Sequence, residues 1–180
     1  MFTTAARTCS KLVLHWLFQV MTLKAEGGEP IGGTLVYREA DYAFDTEPRP
    51  STSGSSFTVN ELELMLDDEE EGVLFVTGYC PHVGWRRAKL RAPLSRPGLL
   101  RGQHPPEAMA GGAVALNARE DRWPVLVDER NGWVRLGHGD PNMDREAVNF
   151  APGAIAVLDA GHLVALWLRP EKLPLLPEPT

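Results

Sequence analysis

Turn-forming residues interrupt this sequence too often for long helices. Its apolar stretches, among them Val73–Tyr79, Trp123–Val127, Ala154–Leu158 and Leu163–Leu168, are short and end in Gly, Pro, Asn-Gly or charged clusters. Seventeen Gly and fifteen Pro lie mostly between such runs. Many short strands joined by turns satisfy that pattern. The expected fold class is therefore mainly β, a β-sandwich or half-open barrel of about seven to nine strands with one or two short helices.

The runs differ in how they read. Glu61-Leu62-Glu63-Leu64-Met65-Leu66 alternates acidic and apolar residues over most of its length, as a half-buried strand does. The acidic cluster Asp67–Glu71 then turns the chain into Val73–Tyr79, which predicts a hairpin. A second hairpin is expected across Asn131-Gly132, between Trp123–Val127 and Trp133–Leu136, because both turn residues tolerate positive φ. Ala154–Leu158 and Leu163–Leu168 are almost continuously apolar, so a third hairpin is expected at the centre of the core. Thr34–Phe44 reads as one strand and 45–56 as a Pro/Ser/Thr-rich surface loop. Asp140-Pro141 predicts a short helix to Ala147, with Asp as N-cap.

These elements place a single β-rich domain at 31–170, a lead-in at 1–30 and a Pro-rich tail at 171–180. Three readings stand for the apolar run Leu12–Met21: a secretory signal, an extension upstream of a start at Met21, or an amphipathic helix with Leu12, Trp16, Val20 and Leu23 on one stripe. The run is too short to span a bilayer, so no membrane partner is expected. Cys9 and Cys80 suggest no disulfide framework and read as free thiols of a reducing, cytoplasmic compartment. A net charge of −6 disfavours nucleic acid as a partner.

Chemistry-bearing motifs are sparse. Cys80-Pro81-His82 followed by Gly84 is similar to the first ligand box of Rieske iron–sulfur proteins. That cluster needs a second Cys and a second His in another box, and the sequence has none, so no cofactor is expected. An enzyme remains the alternative function. Its centre would be Cys80 with His82, or His138 with Asp140 and Asp144 as metal-assisting ligands. No phosphate loop, nucleophile elbow or His-Glu-x-x-His pattern is present.

Charge is distributed far less evenly than composition suggests. Glu61 to Glu71 holds seven acids and no base, whereas Gly72 to Pro106 holds no acid and six bases: Arg86, Arg87, Lys89, Arg91, Arg96 and Arg101. Arg87, Lys89 and Arg91 alternate with Ala88, Leu90 and Ala92, which on a strand from Trp85 to Ala92 puts the cations on one face. The expected function is a non-catalytic protein that recognises a macromolecular partner through this polarised surface. Trp85, His82, Arg86, Arg87, Lys89 and Arg91 are its candidate binding residues. Another protein is the expected partner, and an anionic ligand the alternative. The competing account pairs these cations across the sheet with Glu61 and Glu63.

Overall fold

A computed structural model describes residues 22–52, 54–67, 72–103, 112–117, 121–138 and 145–176. The apolar run 12–21, the acidic tip 68–71, His104, and Asp140 with Asp144 lie outside the described residues. The architecture is mainly β, with two sheets, one of them a half-barrel. Helical structure among the described residues is limited to two 3₁₀ turns, Glu39–Asp41 and His82–Gly84.

The first sheet contains β1 (Thr22–Glu26), β2 (Thr34–Arg38), β3 (Ala43–Glu47), β4 (Ser56–Val59), β5 (Leu62–Asp67), β6 (Gly72–Tyr79), β9 (Leu99–Gln103) and β10 (Ala113–Ala115). Its order is β1-β9-β6-β5-β4-β10, and β3 joins the far end of β6 and carries β2. The second sheet runs β7 (Arg86–Arg87), β11 (Val125–Asp128), β12 (Trp133–Gly137), β15 (His162–Leu168), β14 (Ala154–Asp159), β13 (Glu146–Ala151), β8 (Arg96–Pro97). Its two edge strands are two residues long, which leaves little ladder open to edge-to-edge pairing.

The three hairpins expected from local patterning are present. β5 pairs antiparallel with β6, β11 with β12, and β14 with β15. The last of these lies at the middle of the second sheet, and Leu166 and Leu168 are fully buried. One apolar core joins the sheets. Phe44, Phe57, Leu62, Leu64 and Leu100 on one side meet Val134, Leu136, Phe150 and Leu166 on the other. Burying each such side chain stabilises the fold by roughly 1.5–3 kcal/mol.

Four expectations are corrected. Thr34–Phe44 is not one strand, because a 3₁₀ turn ending at Tyr42, in the left-handed region at φ 52°, folds β2 back on β3. The expected loop 45–56 begins inside β3, where buried Asp45 is matched by Arg38 and Arg49 at 3.1 and 2.7 Å. Thr22–Glu26, within the expected lead-in, is paired with β9 along its whole length. Glu146–Ala147, expected to end a helix, opens β13 instead.

Candidate functional site

The segment Arg86–Ala92 departs from the sequence expectation in a way that bears on function. Only Arg86 and Arg87 are in a strand, β7, which runs parallel to β11. Beyond them the chain leaves the ladder and crosses the outer face of the second sheet as a strap. Ala88, Leu90 and Ala92 pack there with Trp133, Ile155, Val157 and Trp167. The alternation of small apolar and cationic residues is therefore real, but packing on a sheet face produces it rather than strand pairing.

Two polar side chains clamp the strap. The Leu90 amide donates to Asp128 Oδ2 at 2.9 Å, and Asn131 Nδ2 donates to the Leu90 carbonyl at 2.7 Å and to the same carboxylate oxygen at 3.1 Å. The Ala88 amide donates to the Val127 carbonyl at 2.9 Å. The Leu90, Arg130 and Asn131 hydrogen bonds hold the Asp128 carboxyl below the ordinary carboxylate range, against a smaller effect of burial.

With the apolar residues facing inward, Arg86, Arg87, Lys89 and Arg91 are all exposed. Arg87 is paired with Glu129 at 2.7 Å. Arg96 is held by Glu146 and Arg101 by Glu26, at 2.6 and 2.7 Å. Among the described residues no carboxylate pairs with Arg86, Lys89 or Arg91. The acidic strand does not neutralise them. β5 belongs to the other sheet, and Glu61 is engaged by Arg122 at 2.6 Å. The cross-strand pairing with Glu61 and Glu63 is thereby overturned, since β5 pairs only with β4 and β6.

Trp85 and His82 are buried rather than on this surface, each only 8% exposed. They belong to an aromatic group that precedes the strap in the chain. Trp85 stacks on Phe44 with centroids 5.8 Å apart, Tyr37 meets Trp85 edge-on at 5.1 Å, and Tyr42 stacks on His82 at 5.3 Å. The Tyr37 hydroxyl donates to the Cys80 carbonyl at 2.9 Å and accepts from the His82 amide at 3.2 Å. Burial pushes the Tyr37 hydroxyl pKa well up, so it stays protonated as that donor. Tyr42, Tyr79 and Val83 remain on the surface around this turn.

The other candidates fare differently. Cys80 is buried, and burial pushes its thiol up to about 12, so it lacks the thiolate that nucleophilic chemistry requires. His138 Nε2 lies 2.9 Å from Asp121 Oδ1, an exposed pair that sequence reading missed. Among the described residues no three His, Cys, Asp or Glu side chains gather as a metal-ligand set.

A feature without a sequence signal is a cleft of about 240 Å³ beside Arg86, lined by Cys80, Trp85, Arg86, Glu61, Arg122 and Trp123 among others. Its residues come from four separate stretches of chain, which only the fold brings together. Its floor is braced by Asn60, whose Oδ1 accepts from the Trp123 amide at 2.9 Å and whose Nδ2 donates to the Trp123 carbonyl at 3.0 Å. No helix among the described residues is long and apolar enough to cross a membrane. No protein-family model and no curated protein matches the sequence.

Proposed function

We propose that this protein is a non-catalytic recognition module whose cation strap, Arg86, Lys89 and Arg91 with Arg87 at its side, meets an acidic surface on a partner protein. The observation that carries the reading is the combination of exposure and missing counter-charge. Three cations stand in solvent with no carboxylate paired to them among the described residues, on a segment that Asp128 and Asn131 hold in place. Clamping the backbone lowers the ordering cost of binding. Arg87 joins at little expense, because an exposed ion pair such as Arg87–Glu129 contributes only about 0.2–1 kcal/mol. The −6 net charge of the whole chain repels acidic surfaces elsewhere, which favours docking through the strap alone.

The test is affinity capture from the native host at low ionic strength, with wild type beside the triple variant Arg86→Glu, Lys89→Glu, Arg91→Glu. Wild type is expected to retain a partner that elutes by about 0.5 M salt, where the screening length falls to a few ångströms. The variant is expected to retain none of it. A partner held equally by both proteins refutes the reading.

A further inference from the structure

We propose that the cleft beside Arg86 is the anchor pocket of the recognition surface, and that it receives one Asp or Glu side chain from an extended acidic segment of the partner. The proposal rests on the reading of the strap as a docking face and names the chemistry that the face selects.

Size argues first. About 240 Å³ is smaller than the roughly 300–1,000 Å³ of pockets that enclose whole metabolites, and it suits one side chain inserted from a larger partner. Charge argues second. Two guanidinium groups, Arg86 and Arg122, line the cleft against one carboxylate, Glu61. Arg122 already holds that carboxylate at 2.6 Å, so the cleft displays within the chain the contact expected of its ligand. Arg86 has no such partner among the described residues, and a planar guanidinium is matched to a carboxylate. The wall is aromatic, since Trp85 and Trp123 both line the cleft.

The arrangement also contains its own competitor. Glu61 and Arg122 are both substantially exposed, so their pair separates cheaply, and a carboxylate arriving from outside competes with Glu61 for Arg122. Removing the Glu61 charge is therefore expected to strengthen binding.

The test uses the full chain and a hexaglutamate peptide, followed by the fluorescence of the cleft tryptophans at low ionic strength. Arg86→Ala is expected to weaken binding by about tenfold, the scale of a lost charge-assisted hydrogen bond. Glu61→Gln is expected to tighten it by about threefold or more, and by more than Glu129→Gln, which removes an equal charge beside Arg87 but away from the cleft. Equal gains from the two Gln variants, or an Arg86→Ala protein that binds like wild type while Lys89→Glu with Arg91→Glu abolishes binding, overturn the anchor and leave the strap reading standing. No binding of hexaglutamate to wild type at millimolar concentration overturns both.

Discussion

Asp128 shows how a single acid at the end of a strand serves a cationic surface. Its side chain accepts from the Leu90 and Arg130 amides and from Asn131, so it caps its own turn and holds the strap in one contact set. Because these bonds lower its folded-state pKa, the group contributes stability that is fully present above the unfolded value near 3.9. That contribution is lost as pH falls through the lower folded value. Asp128→Asn keeps the shape and removes the charge. It is expected to lower the urea midpoint at neutral pH and to flatten the acid limb of midpoint against pH between about 5 and 2. Parallel acid limbs for the two proteins contradict this account. The residue was not legible as a clamp, because Asp128-Glu129-Arg130-Asn131-Gly132 reads as turn chemistry and Leu90 lies 38 residues earlier. Asp45 was hidden for a related reason. Its burial among Pro- and Ser-rich sequence makes sense only once Arg38 and Arg49 converge on it.

Among the elements, β6 does the most to shape the site. Near its start it lies between β5 and β9, and at its end it lies between β5 and β3. Gly78 is the corner, paired with Leu62 on one side and Phe44 on the other, at φ +120°. A Cβ there would lie 2.5 Å from the Glu61 carbonyl oxygen, in a backbone region that side chains avoid. Gly78→Ala is expected to cost about 2 kcal/mol or more, read as a lower urea midpoint with an unchanged slope. A midpoint at the wild-type value shows that the corner carries no strain. The corner directs Tyr79 and Cys80 toward the cleft and lets the Tyr79 amide donate to the Glu61 backbone carbonyl at 3.2 Å. The β5–β6 hairpin was readable from its acidic-apolar alternation. The bend was not, since glycine in a strand announces a bend without saying which partner lies across it. The 3₁₀ turn at Glu39–Asp41 escaped notice because Tyr42 takes the left-handed position that Gly or Asn usually advertises.

At the scale of the molecule, the two sheets are tied by one apolar core and by a chain that alternates between them. β1 to β6 build the first sheet, β7 and β8 open the second, β9 and β10 return to the first, and β11 to β15 finish the second. A chain woven this way makes each sheet depend on the core that it shares with the other. Unfolding in urea is therefore expected to be a single transition, with far-ultraviolet dichroism and tryptophan fluorescence superimposing. Two separated transitions would show that the sheets unfold apart. The same weave puts Glu63 and Asp67 of β5 in the first sheet, while the cation-bearing strap packs on the second.

The order of residues alone determined the mainly β class, the three local hairpins and the in-and-out rhythm of Arg87 to Ala92. Each depends on neighbours within a dozen positions, where period and turn chemistry act directly. Tertiary structure alone decided that the rhythm lies across a sheet face, that Trp85 and His82 are buried, and that Arg86 shares a cleft with Arg122. Those outcomes join residues tens of positions apart, and which apolar face covers which is settled by the packing of the whole core rather than by any local pattern.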